Sequence, residues 1–225
     1  MSTRRNLDGV GCRNLRDVGG IPTRAGEMVA TGRLFRGAEP PVEEKAAAEL
    51  IAATGVRRIL DLRMDEEVER TGPPVLPESC EWIRLPLFEN VPPHWARPLD
   101  RTPPSTAQRY FEMLQVGIHP LARVVEMLGD AVSKPTLVHC VAGRDRTGIV
   151  VGCLLDLLDV PDEAIAADYA LSSVVDDEEG RMASPDNILL LLQLVRRRFG
   201  SVRDILLASG TPPGRIDQLR AALIE

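Results

Sequence analysis

The sequence predicts an α/β fold in which a small, mostly parallel sheet is flanked by helices and followed by a helical C-terminal part. Two observations predict it. Short apolar runs that resemble buried strands alternate with segments of helical periodicity, an order typical of parallel sheets covered on both faces. These strand-like runs are few, and after 160 only helical patterns remain. No linker separates two cores, so we interpret residues 1–225 as one domain.

The N-terminal third of the chain predicts two strands and one helix. Residues 1–32 are interpreted as loops because six glycines interrupt them. Leu34–Arg36 is a candidate short strand. A helix begins after Pro41 and ends at Gly55, with acidic residues in its first turn. The apolar segment 56–62 then predicts a buried strand.

A proline-rich stretch interrupts the middle of the chain. It follows a short polar helix at 64–70 and an alternating, strand-like segment at 81–87. Phe88–Pro104 holds five prolines around Trp95. A long stretch without periodicity inside a compact domain is typical of a lid, a binding loop or disorder. We expect the 88–120 region to lie beside the active site as a lid or insert, with Trp95 able to cover a substrate ring.

One further strand and several helices complete the predicted fold. The strand is PTLVHC at 135–140, and a turn at Gly143 separates it from a long apolar helix. Helices are predicted at 105–116, 121–131, from about 147, at 161–173 and at 185–199, with two short ones near the end.

Composition excludes several classes of function. Only 4% of the residues are aromatic and the net charge is −6, which argues against nucleic-acid binding. The apolar run Ile149–Leu158 is too short to span a bilayer and contains Asp156. The first residues lack an apolar signal-peptide core, so we expect a cytoplasmic protein, with signal-less secretion left open. The oligomeric state is also left open.

Four cysteines, at 12, 80, 140 and 153, show neither CxxC spacing nor a His/Cys cluster. We therefore expect free thiols, no metal and no cofactor. Cys12, Cys80 and Cys153 are interpreted as structural.

Cys140 differs because Arg146 follows it with five residues between, in the segment CVAGRDR. This CX5R spacing recurs by chance, but here the cysteine ends a predicted strand and the arginine begins a predicted helix. When such a loop curls, the amides of 141–146 turn inward and form an anion site beside the helix N-terminus. Arg146 can hold two phosphate oxygens. The positive potential of this arginine, the loop amides and the helix N-terminus favours a thiolate at Cys140.

This arrangement predicts a sulfur nucleophile beneath a bound phosphoryl group. Thr147 is placed to hydrogen-bond the sulfur when it leaves. His139 is interpreted either as a brace for the loop backbone or as a buried core histidine. The expected phosphate-binding residues are Val141, Ala142, Gly143, Arg144, Asp145, Arg146 and Thr147.

The segment HCVAGRDRTG resembles the signature of the cysteine-dependent protein tyrosine phosphatases. More narrowly it is similar to the bacterial tyrosine/serine branch, whose loop runs HCxxGKDRTG. RNLRDVGG at 13–20, GRLFRGA at 32–38 and ILDLRMDEEV at 59–68 resemble the same branch. The resemblance implies a tyrosine-phosphatase-like fold, with Cys140 as nucleophile and Arg146 as phosphate-binding arginine. At Arg144 the branch usually has lysine, and this change bears on substrate preference.

The resemblance leaves the general acid open, because the chain has no W-P-D tripeptide. The candidates are Asp61, Asp145 and Glu89. Asp61 is preferred because it lies at the carboxyl end of a predicted parallel strand, where active sites gather. Asp145 lies inside the loop, as in the myotubularin-like phosphatases. Alternatively, Asp61 pairs with Arg63, and Asp145 orients a loop arginine.

The sequence therefore predicts a phosphomonoester hydrolase that works through a cysteinyl-phosphate intermediate. Phosphotyrosine proteins, or phosphotyrosine and phosphoserine proteins, are the first expected substrates, and phosphoinositides are the alternative. Arg144 adds a cation that suits multiply phosphorylated substrates, unless it merely pairs with Asp145. The remote alternatives are a phosphate-binding module without turnover and sulfur or arsenate chemistry.

Overall fold

A five-stranded mixed sheet forms the centre of the fold. The computed structural model describes residues 7, 10–92, 95, 102–174 and 183–225, without the side chains of 173 and 174. The strands are β1 (Arg16–Asp17), β2 (Leu34–Gly37), β3 (Arg58–Asp61), β4 (Glu81–Arg84) and β5 (Thr136–His139). Their order is β1-β2-β5-β3-β4, and only β1 is antiparallel to its neighbour. The predicted α/β class with a small, mostly parallel sheet is confirmed.

Nine α-helices surround this sheet among the described residues. They are α1 (Glu44–Thr54), α2 (Asp65–Thr71), α3 (Pro103–Val116), α4 (Ile118–Leu128), α5 (Asp145–Leu157), α6 (Asp162–Ala170), α7 (Pro185–Phe199), α8 (Val202–Ala208) and α9 (Pro213–Leu223). A 3-10 turn at Leu171–Val174 follows α6. Each predicted helix is present, with its start displaced by up to three residues. The helix predicted from Ser105 begins at Pro103 because a proline fits the first turn, where its missing N–H has no helical acceptor.

The strand β1 lies inside the segment that we interpreted as loops. Arg16 pairs with Arg36, and Asp17 pairs with Phe35. A strand of two residues shows no alternation, so periodicity does not reveal it. Further along the same segment, Val29 forms an isolated bridge to Ile224 at the C-terminus.

Helix α5 is the core helix of the fold, since ten of its 13 residues are buried. A helix that is apolar all round is expected to be enclosed by protein on every side. The run Ile149–Leu158 therefore belongs to the core. No helix in the described ranges is long and apolar enough to cross a membrane.

The 88–120 region divides into parts with different surroundings. Helix α3 packs into the core through Tyr110 and Leu114. Trp95 is also buried, and its indole N–H donates to a carboxylate oxygen of Glu112 at 2.7 Å. Of the stretch expected to form a lid, residues 93, 94 and 96–101 lie outside the described residues.

The parallel register brings three strand ends to one edge of the sheet. His139 at the end of β5 pairs with Gly37 of β2 on one side and with Asp61 of β3 on the other. The chain that leaves β5 therefore starts between two neighbouring strand ends. In open parallel sheets this is the position at which ligands bind.

Candidate active site

The 140–146 loop connects the end of β5 to the start of α5 and is tightly packed against β2. Gly143 has a φ of +67°, the left-handed region that favours glycine. A Cβ at this position would lie 2.2 Å from the carbonyl oxygen of Gly37, a distance that no side chain tolerates. The glycine therefore lets the loop curl against the strand.

The first two carbonyl groups of the loop point outward and accept hydrogen bonds from the surrounding protein. The Nδ1 atom of His139 lies 3.1 Å from the carbonyl oxygen of Cys140, a hydrogen bond when that nitrogen carries the proton. The backbone N–H of Glu39 donates to the carbonyl of Val141 at 3.0 Å.

The next two carbonyl groups are held by side chains from the N-terminal segment and from β2. The amide nitrogen of Asn14 donates to the carbonyls of Ala142 and Gly143, at 3.2 and 2.9 Å. Arg36 donates to the Gly143 carbonyl at 3.0 Å. Because four successive carbonyls are held outward, the amides between them are left for the inner side, where they suit an anion.

His139 is completely buried between these elements. Burial lowers its pKa to about 4, although Asp61, 3.6 Å from its Nε2, opposes that shift. The imidazole is therefore neutral at pH 7. Both alternative roles for this residue, loop brace and core histidine, agree with its position.

Arg146 lies in the first turn of α5 and is held by Glu67 of α2. Its two terminal nitrogens donate to the two carboxylate oxygens at 2.5 and 2.7 Å. Burial opposes charge on both groups, yet their hydrogen bonds raise the pKa of Arg146 and lower the pKa of Glu67. The pair therefore stays ionised. Glu67 also accepts the N–H of Met64 at 2.8 Å, which fixes the start of α2.

The surroundings of Asp61, our preferred candidate for the general acid, favour its alternative role in an ion pair with Arg63. Its side chain is fully buried and accepts hydrogen bonds from Arg63 at 2.7, 3.0 and 3.1 Å and from Trp82 at 3.2 Å. Burial acts to raise the pKa of Asp61, but the hydrogen bonds from Arg63 outweigh it and lower this pKa. An enclosed carboxylate whose ionised form is stabilised is poorly suited to donate a proton, so we favour the ion pair with Arg63 as its role.

Asp145, unlike Asp61, stays partly open to solvent. Its side chain is 37% exposed at the start of α5. The hydroxyl of Tyr110 donates to one carboxylate oxygen. That hydroxyl also lies 2.7 Å from the hydroxyl of Tyr169, which accepts a long hydrogen bond from Asn187 at 3.4 Å. Three helices thus orient this carboxyl group. The third candidate, Glu89, is exposed in the proline-rich stretch.

Arg144 does not extend from the loop as an open cation. It is 2% exposed, and its Nε lies 3.4 Å from a carboxylate oxygen of Asp145. The expected second cation at the mouth is therefore corrected to a buried arginine that pairs with its neighbour. Thr147 is also buried, and its hydroxyl has no hydrogen-bond partner among the described residues.

The other cysteines have surroundings unlike those of the loop. All four are free and buried. Burial raises the pKa of Cys12 to about 12 and that of Cys80 to about 11, and it also raises the pKa of Cys153. At neutral pH these three are thiols, in agreement with a structural role.

Sequence reasoning missed Glu67, Asn14 and the hydroxyl of Tyr110. For Glu67 a signal existed, because MDEEV follows directly on the strand that ends in Asp61. For Asn14 the only signal was its place in RNLRDVGG. Both residues reach the loop through contacts that are distant in sequence.

Comparison with known proteins connects the chain to phosphatases. The model of the tyrosine phosphatase family matches residues 7–225. The triple specificity protein phosphatase PtpB of Mycobacterium tuberculosis is 30% identical over 192 residues, which cover 72% of this chain and 67% of PtpB. A tyrosine-protein phosphatase of Nostoc commune is 30% identical over 129 residues, 57% of this chain and 44% of that protein.

Proposed function

The chain belongs to the tyrosine phosphatase family and is a phosphoric monoester hydrolase, and we propose that it works through a cysteinyl-phosphate on Cys140. The observation that carries this proposal is the 140–146 loop, whose outward carbonyls leave its amides to bind an anion. A bound phosphoryl group would rest between these amides and the start of α5. Cys140 stands at the strand end beneath that position.

Arg146 is proposed to bind the phosphoryl group through the edge of its guanidinium that carries Nε. A guanidinium has five N–H groups, and Glu67 takes one from each terminal nitrogen. The Nε–H and one adjacent N–H remain for two phosphate oxygens, the bidentate geometry that suits this side chain. Glu67 therefore orients Arg146 before substrate arrives.

The first chemical step transfers the phosphoryl group to the enzyme. The Cys140 thiolate attacks phosphorus, the bond from phosphorus to the leaving oxygen breaks, and that oxygen takes a proton from the carboxyl group of Asp145. Asp145 is preferred over Asp61 because it is exposed and adjacent to the anion site.

The second step regenerates the enzyme. Asp145, now ionised, takes a proton from a water molecule whose oxygen attacks phosphorus, and the sulfur–phosphorus bond breaks. Inorganic phosphate leaves, and the thiolate returns. The unpaired hydroxyl of Thr147 is the group proposed to donate a hydrogen bond to the departing sulfur.

Phosphotyrosine proteins are the proposed substrates, with phosphoserine proteins as a further possibility within the same chemistry. PtpB, similar over two thirds of its length, is named a triple specificity protein phosphatase. Phosphoinositides stay an alternative, but the burial of Arg144 removes the cation that favoured them. We also propose a cytoplasmic location, because free buried thiols suit a reducing compartment.

Hydrolysis of p-nitrophenyl phosphate and of a phosphotyrosine peptide, in buffer that contains a chelator, tests this proposal. We expect the wild-type protein to be active and Cys140→Ser to lose turnover while still binding phosphate. Cys153→Ser is the matched control, since Cys153 is a buried thiol outside the loop, and it should stay active. Full activity in Cys140→Ser would overturn the assignment.

A further inference from the structure

We propose that Asn14 is a positioning residue that keeps the amides of the 140–146 loop turned toward the phosphate. The inference rests on the proposed function and concerns how the anion site is held. Asn14 donates to the carbonyls of Ala142 and Gly143, the two peptide groups in the middle of the loop. Both peptides lie between the end of β5 and the start of α5, which anchor the ends of the loop. A peptide group here that lacks an external donor to its carbonyl can rotate more easily.

The backbone of Asn14 is held in a conformation that most residues avoid. Its φ is +57°, and among the described residues only Asp159 shares a positive φ without being glycine. Left-handed asparagine is tolerated at a cost, and such strain persists where the surrounding structure demands it. Here the conformation directs the side chain at two carbonyl oxygens at once.

Arg16 sets which way the Asn14 amide faces. A terminal nitrogen of Arg16 lies 2.5 Å from the Asn14 side-chain oxygen and 3.3 Å from its backbone oxygen. An arginine only donates, so the oxygen must face Arg16 and the nitrogen must face the loop. The two loop carbonyls require the same orientation, because they only accept.

Asp168 of α6 holds Arg16 in turn and connects a second arginine to the loop. Arg16 donates to Asp168 through its Nε at 3.2 Å, and Arg36 donates to the other carboxylate oxygen at 2.7 Å. Arg36 is the residue that also donates to the Gly143 carbonyl at 3.0 Å. All three charged side chains are 1% exposed. The N-terminal segment, β2 and α6 therefore meet behind the loop.

Removal of the Asn14 donors should let the peptide that carries the Ala142 carbonyl rotate, while Arg36 still donates to the Gly143 carbonyl. A rotated peptide turns its amide away from the phosphate and brings a carbonyl dipole toward it. Both effects weaken phosphate binding. They also reduce the stabilisation of the transition state, because the amides face the charge that develops there. Asn14 acts through the backbone, so its loss should not remove the nucleophile or the general acid.

The test compares Asn14→Gly with Asp159→Gly. Each replaces a left-handed residue by glycine, which accepts that conformation without strain. For Asn14→Gly we expect kcat/KM on p-nitrophenyl phosphate to fall by about 10- to 100-fold and the inhibition constant of vanadate to rise with it. Asp159→Gly should stay within about twofold of wild type on both measures, since exposed sites away from function are tolerant.

A second variant separates lost donors from lost packing. Asn14→Asp keeps the shape and the contact with Arg16 but has no N–H to donate, so it should lose at least as much activity as Asn14→Gly. Binding of inorganic tungstate to Cys140→Ser, with and without Asn14→Gly, measures the anion site without turnover. Weaker tungstate binding in the double variant supports the inference even if the wild type hydrolyses nothing, which would refute only the proposed function. Folded Asn14 variants with unchanged vanadate inhibition and tungstate binding would refute the role of Asn14.

Discussion

Glu67 holds both terminal nitrogens of Arg146, at 2.5 and 2.7 Å, across the gap between α2 and α5. The arginine that is proposed to bind phosphate is therefore oriented by a carboxylate that contacts the edge away from the ligand. A side chain with this much rotational freedom binds more tightly when its geometry is set in advance. The same carboxylate caps α2, so the helix and the site depend on one residue.

Glu67→Gln should raise KM for p-nitrophenyl phosphate and lower kcat/KM by about tenfold or more, because a neutral amide holds Arg146 less firmly. Steady-state kinetics measures the effect. The matched control is Glu66→Gln, an exposed neighbour on the same helix, which should behave as wild type. Equal kinetics in the two variants would show that Glu67 does not orient Arg146.

Asp145→Asn should slow aryl phosphates with poor leaving groups far more than p-nitrophenyl phosphate, because a poor leaving oxygen needs the proton more. A series of aryl phosphates of rising leaving-group pKa gives the slope of log kcat/KM plotted against that pKa. The slope should steepen in Asp145→Asn and stay near that of wild type in Asp61→Asn. The reverse pattern would restore Asp61 as the general acid.

Asp61→Asn should instead destabilise the fold, because it leaves the buried Arg63 without its main carboxylate partner. Removal of one partner of a buried ion pair typically costs about 3–5 kcal/mol. Urea unfolding at pH 7 measures the loss. An unchanged unfolding free energy would mean that the ion pair contributes nothing to stability.

Stability should fall as the pH drops below about 6.5 and toward 4. The folded-state pKa of His139 is about 4 against an ordinary value of 6.5, so the unfolded chain takes up a proton in this window and the folded chain does not. This contribution of His139 to the unfolding free energy is complete above pH 6.5 and is on the order of 3 kcal/mol. His139→Asn should be less stable at pH 7 but should lose less between pH 7 and 5. Parallel losses in both proteins would contradict a buried, neutral His139.

Iodoacetamide at pH 7.5 should modify Cys140 before any other cysteine. Burial raises the pKa of Cys12 and Cys80, so both stay protonated and unreactive, while Cys140 is the proposed nucleophile at the anion-binding loop. Peptide mapping identifies the modified residue, and vanadate should protect it. Modification of Cys12 or Cys80 first, with activity retained, would contradict the account.

The local sequence was sufficient to predict those parts of the site that lie on one continuous segment of the chain. Cys140, Gly143 and Arg146 lie on one strand-loop-helix segment, so strand ending, glycine and helix start were all visible in ten residues. The helices were also visible, because their apolar periodicity is long enough to count. Their ends were misplaced by up to three residues, as at α4, which spans Ile118–Leu128 where 121–131 was predicted.

The remainder depends on contacts between segments far apart in the chain. Asp61 resembled an accessible acid at a strand end, yet Arg63 folds back over it and encloses it. Arg144 resembled a surface cation, yet it is buried. Asn14 reaches a loop 128 residues away. No local sequence pattern predicts these contacts, because they depend on how the strands and helices pack around the whole sheet.

The most direct test of the central claim is the isolation of a phosphorylated Cys140. Rapid acid quench during turnover of a phosphotyrosine peptide, followed by mass spectrometry of the peptide that contains Cys140, detects one added phosphoryl group on sulfur. We expect this adduct in the wild type and none in Cys140→Ser. With p-nitrophenyl phosphate, whose leaving group needs little help from an acid, we expect more adduct in Asp145→Asn, because hydrolysis of the intermediate also needs Asp145. Turnover without any adduct on Cys140 in either protein, or an adduct on another residue, would contradict the account.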